Sequence, residues 1–300
     1  MLRRCQQYFS MHSLIHTAIN STFFCWCSIQ NRFPLKSLDP NLHIKTFVPN
    51  MAQSHVQYSG SPSRVLSNMF WEQLPWDQLI NQLTTLNIFD TGCGSGWYGS
   101  FLEQCSGERV AHYTGVDVYE HADWQQRQIN PKFSFQKYRG KHIIPLIPSP
   151  TNFFMSQSAI EHFVNDQQYF QEIRKFITSN PSKSFVQVHL FPSAACMKLY
   201  GRHGYRQYTP RTISKITKLF SDSECILLGL GGHQCTRVHM EYITTPMKIR
   251  GVDLRKTKEY EFQNELRQAI QMDKADVHSA TDPNFWALVI CSHWNQPFSV

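Results

Sequence analysis

The feature that most constrains the fold is a glycine cluster directly after a short apolar run. Residues 86–90 read Leu-Asn-Ile-Phe-Asp, as expected of a buried strand, and Gly92, Gly94 and Gly96 follow at every second position. Glycine lets the backbone turn into left-handed conformations and lets its amides approach a ligand that a side chain would block. A helix beginning near Gly96 would present unpaired amides and a positive dipole end to an anionic group. The pattern predicts a ligand-binding turn between a strand and a helix.

Strands and helices are predicted to alternate along the rest of the chain. Apolar runs indicate further strands at about 110–118, 133–138, 152–155, 184–190, 225–230 and 285–291. Helical spacing indicates helices over 63–83 (divided at Pro75), 159–177, 212–220 and 260–272. This alternation predicts an α/β fold with a doubly wound, mostly parallel sheet of seven strands. Ligands bind such sheets at the carboxyl ends of the strands.

Two cofactors are compatible with the glycine turn. Residues 94–99 (Gly-Ser-Gly-Trp-Tyr-Gly) fit the dinucleotide pattern G-x-G-x-x-G, and Asp117 lies 18 residues beyond Gly99. That spacing is close to the roughly 20 residues expected before an acid that binds ribose hydroxyls. An NAD(P)-dependent oxidoreductase that uses Gly94, Gly96 and Gly99 is therefore one interpretation. The pattern alone is weak evidence, and it accounts for neither Asp90 nor Gly92.

Residues 90–96 (Asp-Thr-Gly-Cys-Gly-Ser-Gly) resemble the first motif of class I S-adenosylmethionine-dependent methyltransferases. Residues 158–163 (Ser-Ala-Ile-Glu-His-Phe) are similar to the segment after the fourth strand in many small-molecule methyltransferases of this class. The two late strands fit the terminal antiparallel strand pair of that Rossmann-like fold, which a dinucleotide domain lacks. The resemblance implies one methyltransferase domain over residues 63–295.

The same resemblance implies S-adenosylmethionine as the cofactor. The glycines would pack against its methionine part, Asp90 would help to hold its amino group, and Asp117 would bind its ribose hydroxyls. The adenine contact stays unassigned, because residues 138–141 lack the acid or amide that the family often places there. The cofactor-binding residues implied in this way are Asp90, Gly92, Gly94, Gly96, Asp117 and Gln157.

Candidate catalytic residues follow the fourth strand or lie on the fifth. A general base helps when the methyl acceptor is a hydroxyl, because its proton must leave. Glu161, His162 and His189 are the candidates for this role. Each also has a structural interpretation: Glu161 could complement a helix dipole, His162 could orient the loop, and His189 could face its strand neighbours.

The expected reaction is methyl transfer to an oxygen of a small-molecule or saccharide-like acceptor, with a nitrogen as the second choice. Residues 200–208 mix aromatics, glycines and cations, which suits an acceptor-binding loop in which Arg202 or Arg206, with Tyr205 and Tyr208, holds an anionic or sugar-like group. A surface loop with ordinary charges is the alternative. No Asn/Asp-Pro-Pro-aromatic sequence follows the fourth strand, and no Pro-Cys pair offers a nucleophile for cytosine methylation. A catalytically silent domain that binds S-adenosylmethionine is a further alternative.

Composition bears on partners and location. The net charge is +7, but residues 1–50 contribute four of these charges, so the remainder has an ordinary balance without a basic stripe. No apolar run approaches the roughly 20 residues that span a bilayer. We therefore expect neither a nucleic-acid nor a membrane partner. Nine scattered cysteines and no convincing secretory signal favour reduced thiols and a cytoplasmic location, and the spacing of these cysteines predicts no metal site.

Residues 1–50 differ in character from the rest of the chain. They contain no acid before Asp39 and no long periodic apolar face. We predict a disordered tail or an upstream extension before Met51, with a mitochondrial targeting segment as the alternative. The sequence leaves the acceptor's identity and the oligomeric state open.

Overall fold

The computed structural model of the protein describes residues 38–139, 142–200, 203–275 and 282–299, together with Thr22 and Cys25. Its strands are β1 (Leu42–Thr46), β2 (Leu86–Thr91), β3 (Val110–Asp117), β4 (Phe133–Lys137), β5 (Phe153–Gln157), β6 (Phe185–Pro192), β7 (Glu224–Leu230) and β8 (Phe285–Ser292). They form one sheet in the spatial order β1-β7-β8-β6-β5-β2-β3-β4. Neighbouring strands are parallel except for the two pairs that β8 makes.

Helices fill the connections between the strands. The described α-helices are α1 (Pro62–Glu72), α2 (Trp76–Leu83), α3 (Trp97–Cys105), α4 (Asp123–Arg127), α5 (Asp166–Thr178), α6 (Met197–Tyr200), α7 (Pro210–Thr217), α8 (His233–His239), α9 (Thr245–Arg250), α10 (Leu254–Thr257) and α11 (Glu259–Ala275). Short 3₁₀ turns lie at Ile144–Leu146, Ile160–His162, Ala194–Cys196 and Lys218–Phe220, and Met240–Thr244 form a π-helical turn. No helix among the residues that the structure describes has the length and apolar character needed to cross a membrane.

The sheet buries apolar side chains on both faces because successive residues of a strand point to opposite sides. On β6, Val188 faces the core that contains α1 and α11. Phe185 and Phe191 face the second core, which contains α5 and α7. The predicted α/β class, the mostly parallel sheet and the terminal antiparallel pair are thereby confirmed, and the carboxyl ends of β2, β3 and β5 lie at one edge of the sheet.

The predicted count of seven strands is wrong by one, because β1 extends the sheet beyond β7. Its residues pair in parallel with β7 from Leu42 opposite Cys225 to Thr46 opposite Gly229. An edge strand has one face that can stay polar, and only alternate residues of β1 are buried or half-buried. The short, half-polar segment therefore carried too weak an apolar signal to be recognised as a strand.

The predicted tail over residues 1–50 also needs correction at its carboxyl end. Asp39 is buried, and its carboxylate accepts a 2.7 Å hydrogen bond from the hydroxyl of Thr217. The amide of Asp39 donates to the hydroxyl of Ser214 at 3.0 Å, and Phe47 lies in the core. Residues 39–47 therefore belong to the folded domain. The tail and targeting interpretations of residues 1–37 lie outside the described residues, apart from Thr22 and Cys25.

Candidate active site

The turn between β2 and α3 is built on three glycines with left-handed backbones. The φ angles of Gly92, Gly94 and Gly96 are +78°, +55° and +75°. A Cβ atom on Gly92 would lie 2.3 Å from the Cβ of Ala159, and one on Gly96 would lie 2.3 Å from the ring of Phe135. A Cβ on Gly94 would meet no atom within 4 Å. The outer glycines are therefore required by packing, whereas Gly94 borders open space in which a ligand can lie.

Asp117 closes this turn from the tip of β3. The amide of Gly94 donates a 2.8 Å hydrogen bond to Oδ2 of Asp117. The amide of Tyr119 donates to Oδ1 at 3.1 Å. Each carboxylate oxygen carries two lone pairs, so both oxygens can still accept from another donor. The structure therefore brings Asp117 to the glycine turn.

Two side chains that the sequence analysis did not single out also hold the turn. The indole nitrogen of Trp124 donates to the carbonyl of Gly94 at 2.8 Å, and Nε of Arg127 donates to the carbonyl of Ser95 at 2.8 Å. The Trp124 ring stacks on Phe135, with centroids 5.3 Å apart. These contacts fix the turn in the absence of a ligand. A single tryptophan after a strand gives no sequence signal for such a role.

Asp90 is buried at the end of β2, with a side chain that is only partly satisfied. Its Oδ2 accepts a 2.5 Å hydrogen bond from the hydroxyl of Tyr113, whereas its Oδ1 has no hydrogen-bond partner. Burial raises the pKa of Asp90 to about 7, although the bond from Tyr113 opposes that shift. A buried polar atom without a partner is costly. A positively charged donor at Oδ1 would remove that cost and lower the pKa.

Gln157 ends β5, but its side chain is bonded within the protein. Its Oε1 accepts a 2.8 Å hydrogen bond from the indole of Trp71. Its Nε2 donates to the hydroxyls of Ser67 and Ser158 at 3.4 and 3.3 Å. The observed contacts of this side chain attach α1 to the end of β5. Its predicted contact with the cofactor stays a prediction.

The Glu-His pair predicted after the fourth strand lies directly beyond β5. The Glu161 side chain is 1% exposed, and neither of its carboxylate oxygens has a hydrogen-bond partner. Burial raises the pKa of Glu161 to about 8, partly opposed by its own backbone amide and by the charge of Arg64. His162 is 45% exposed, and its Nε2 lies 3.9 Å from Oε1 of Glu161. Burial of its ring and the neighbouring His203 lower the pKa of His162 to about 4.

The loop after β6 lies over this pair. The ring of His203 packs edge-to-face on that of His162, with centroids 4.7 Å apart. The amide of Tyr205 donates to the carbonyl of Glu161 at 2.7 Å. A Cβ on Gly204 would lie 2.6 Å from the same carbonyl oxygen, and its φ is +69°. The close approach of the two backbones thus requires glycine at this position.

Arg206 does not have the position predicted for an acceptor-binding residue. Its guanidinium donates to the carbonyls of Phe163 and Val164 at 2.5 and 2.8 Å, and it forms a 3.3 Å ion pair with Asp166. The guanidinium thus connects the loop to the segment before α5. Arg202, the other predicted contact, lies outside the described residues.

The structure places the side chain of His189 inside the core, and its catalytic role stays a prediction. Its ring is fully buried, and its Nδ1 shares a 2.8 Å hydrogen bond with the hydroxyl of Ser156. The rings of Tyr169 and Phe170 pack against it edge-to-face, and burial lowers the pKa of His189 to about 3. His189 therefore faces the core beneath α5 rather than the glycine turn. The sequence placed it correctly on a strand but could not indicate which side of the sheet it faces.

The oxidoreductase interpretation depends on Gly99, which does not discriminate between the cofactors. A Cβ on Gly99 would lie 2.9 Å from the ring of Tyr113, so the helix requires a glycine here whatever the ligand. The position of β8 is more informative, because this strand lies antiparallel between β6 and β7. A dinucleotide domain lacks this arrangement, which disfavours the nicotinamide alternative.

Solved structures with a related fold show low sequence identity. An S-adenosylmethionine-dependent methyltransferase from Archaeoglobus fulgidus has 18% identity and a TM-score of 0.45, over 78% of this chain and 96% of that chain. The plantazolicin methyltransferase BamL, solved with a triazolic desmethylPZN analogue and SAH, has 12% identity and a TM-score of 0.44, over 93% of this chain and 99% of that chain. Phosphoethanolamine N-methyltransferase 2 from Haemonchus contortus, solved with S-adenosylmethionine, has 11% identity and a TM-score of 0.43, over 77% and 57%.

The sequence comparison finds a methyltransferase domain within the chain. No curated protein matches the sequence, but residues 89–180 match the model of a methyltransferase domain family. The matched span includes the glycine turn, Asp117 and the Glu161–His162 pair. The match shows a methyltransferase domain over this span, and strands β2–β8 have the mostly parallel order with an antiparallel β8 that is expected of the class I fold.

Proposed function

We propose that the chain transfers the methyl group of S-adenosylmethionine to an oxygen of a small-molecule or saccharide-like acceptor, with a nitrogen as the second choice. The observation that carries the cofactor assignment is the open space at Gly94, bordered by a turn that Asp117 anchors. The proposed cofactor-binding residues are Asp90, Gly92, Gly94, Gly96, Asp117 and Gln157. The acceptor's chemical class rests on the resemblance and on the side chains beyond β5.

The cofactor's groups would match the chemistry around the turn. The carboxylate of Asp117 would accept hydrogen bonds from the ribose hydroxyls through its remaining lone pairs. Oδ1 of Asp90, which lacks a partner, would accept from the ammonium group of the methionine part. Gly92 and Gly96 would let the main chain approach the same part closely. When bound, the cofactor supplies an electrophilic methyl group on a sulfonium.

Because the sulfonium is already activated, the protein's main task is to hold the acceptor in line with the methyl group. We place the acceptor beyond β5, beside Glu161 and His162. A ring nitrogen of the neutral His162 imidazole would accept the proton of a hydroxyl acceptor as the methyl group is transferred. General-base help of this kind typically contributes roughly 10²–10⁴-fold.

The cofactor assignment is tested by Gly94→Leu, with Gly251→Leu as the matched control. Gly251 ends α9 with a φ of +66°, and a Cβ there would also meet no atom within 4 Å. Both substitutions carry a similar backbone cost of about 1–2 kcal/mol, measurable as a lower free energy of unfolding. Only Gly94→Leu fills the proposed cofactor space. We expect calorimetric titration with S-adenosylmethionine to show binding weakened by at least about 100-fold, or 2.7 kcal/mol, in that variant alone.

Equal cofactor binding in the two variants would overturn the assignment. The acceptor class is tested separately, by mass spectrometry of small molecules that copurify with the protein, before and after incubation with S-adenosylmethionine. The expected product is a methyl ether or ester on a copurified compound. A product methylated only on nitrogen or carbon would contradict the proposed preference for oxygen.

A further inference from the structure

We propose that Glu161, His162 and His203 form a binding site for a divalent transition-metal ion at the edge of the acceptor region. One ligand atom from each residue can be chosen so that all three lie within 4.8 Å of one another. The residues come from two segments, the turn after β5 and the loop after β6. Binding of the metal ion does not depend on the proposed methyl acceptor.

The distances are close to those that one ion requires. Two ligands at about 2.1 Å from a common ion are at most about 4.2 Å apart. Nε2 of His162 and Oε1 of Glu161 are separated by 3.9 Å, within that limit. All three ligand atoms lie within 4.8 Å of one another, so binding a common ion requires them to move inward by less than about 1 Å.

The buried carboxylate is the independent observation that indicates a ligand. Both oxygens of Glu161 lack a hydrogen-bond partner although the side chain is 1% exposed. A buried polar group without a hydrogen bond is costly, and a metal ion that replaces the carboxyl proton would remove that cost. Arg64, whose charge acts on Glu161, donates its 2.6 Å hydrogen bond to the hydroxyl of Tyr98 instead. An ion between Glu161 and the two histidines would satisfy the carboxylate.

The loop that carries His203 is hydrogen-bonded to Glu161, the residue with which His203 would share the ion. The amide of Tyr205 donates to the carbonyl of Glu161, and Gly204 permits the close backbone approach. His203 is thereby held over the Glu161–His162 turn. A site built in this way is positioned by the fold rather than by chance contact of mobile side chains.

The donor set indicates the class of ion. Imidazole nitrogens favour Zn²⁺, Fe²⁺, Ni²⁺ or Cu²⁺ over Mg²⁺ and Ca²⁺, and two histidines with one carboxylate leave coordination positions open. His162 is 45% exposed, so those positions can face the acceptor region. An acceptor hydroxyl bound there would have a lowered pKa. That role rests on the proposed function, and in it His162 holds the ion instead of accepting the proton directly.

The test is a titration of the chelator-treated full-length protein with CoCl₂, without cofactor or acceptor. Co²⁺ reports its ligands through its visible absorption, so the readout is independent of activity. We expect one saturable equivalent with the weak bands of nitrogen and oxygen ligation. Binding should fall by at least about tenfold in both Glu161→Gln and His203→Gln, since loss even of an outer partner typically costs 10–100-fold.

His112→Gln is the matched control, because His112 is an exposed histidine on β3 and should leave Co²⁺ binding unchanged. Thermal unfolding and titration with S-adenosylmethionine confirm that each variant is folded and binds the cofactor. Absence of saturable Co²⁺ binding to the wild type would overturn the proposal. So would equal binding by both site variants, or the intense absorption of thiolate ligation. These outcomes would leave the methyltransferase assignment unchanged, because cofactor binding is measured in the separate titration with S-adenosylmethionine.

Discussion

The amide of Gly94 donates its hydrogen bond to the Asp117 carboxylate, so the tip of β3 holds the one glycine of the turn that borders open space. The indole of Trp124 binds the carbonyl of the same residue. Both polar backbone atoms of Gly94 are therefore hydrogen-bonded within the protein. Preorganisation of this kind reduces the ordering cost of binding.

Substitutions at Asp117 should separate its anchoring of the turn from its contact with the ribose. In Asp117→Asn, the side-chain oxygen can still accept from Gly94. The exposed amide of Tyr119 loses its acceptor but can bond to water instead, so we expect a free energy of unfolding within about 1 kcal/mol of wild type. The negative charge is lost, and hydrogen bonds to charged groups contribute about 1.5–3 kcal/mol. Affinity for S-adenosylhomocysteine, measured by calorimetry, should therefore fall about 10- to 100-fold. Asp117→Ala should reduce both stability and affinity. Wild-type affinity in the Asn variant would show that Asp117 only anchors the turn.

Asp90 predicts a pH dependence with a defined sign. Its folded pKa of about 7 lies above its ordinary value of 3.8, so the native state binds more protons than the unfolded state between these values. The free energy of unfolding, relative to Asp90→Asn, should therefore fall as the pH rises from about 4 to 7 and stay level above that. Urea unfolding of both proteins across this range provides the measurement. A difference that does not vary with pH would contradict the raised pKa.

The same carboxylate should make cofactor binding depend on pH. Only the ionised form of Asp90 can pair with the cofactor's ammonium, so affinity for S-adenosylhomocysteine should rise about tenfold between pH 6 and pH 8. The Asp90→Asn variant should lose this rise, and calorimetric titration at both pH values measures it. A rise of equal size in the variant would assign the dependence to another group.

The glycine turn and the sheet were predictable because their signals are local. The spacing of Gly92, Gly94 and Gly96 after an apolar run specifies a strand, a turn and a helix within a few residues. Asp117 was predictable for the same reason, since the end of one strand in a parallel sheet lies beside the end of its neighbour. The packing needs of Gly92 and Gly96, against Ala159 and Phe135, could not be read from the sequence.

The features of the site that the sequence did not indicate depend on contacts between distant segments of the chain. His203 approaches Glu161 and His162 only because the loop after β6 folds back over the turn after β5. The prediction of no metal site considered cysteine spacing, and that reasoning does not extend to a set of two histidines and a carboxylate from separate loops. Whether Arg206 binds a ligand or the protein's own carbonyls likewise depends on tertiary structure.

His189 and His162 should respond to substitution in opposite ways. His189→Ala removes a buried ring and leaves Ser156 without its partner, so we expect the free energy of unfolding to fall by about 2–4 kcal/mol. Turnover per folded molecule should stay near wild type, because the ring faces the core beneath α5. His162→Ala should change stability by less than about 1 kcal/mol and lower turnover at least about 100-fold. Chemical denaturation measures the stability of both variants, and an assay with the identified acceptor measures their turnover. A loss of turnover in folded His189→Ala would support a catalytic role for that residue.

The edge strand β1 should stabilise the domain even though it lies within the segment predicted to be a tail. A chain that begins at Met51 lacks Leu42, whose burial contributes about 1.5–3 kcal/mol, and the two buried hydrogen bonds of Asp39, at about 1 kcal/mol each. It also exposes the apolar strand β7 as a new sheet edge, which favours aggregation. Compared with a chain that begins at Leu38, we expect a free energy of unfolding lower by about 3–5 kcal/mol, measured by urea denaturation, and greater light scattering on heating. Equal stability of the two chains would show that residues 38–50 add a strand without stabilising the fold.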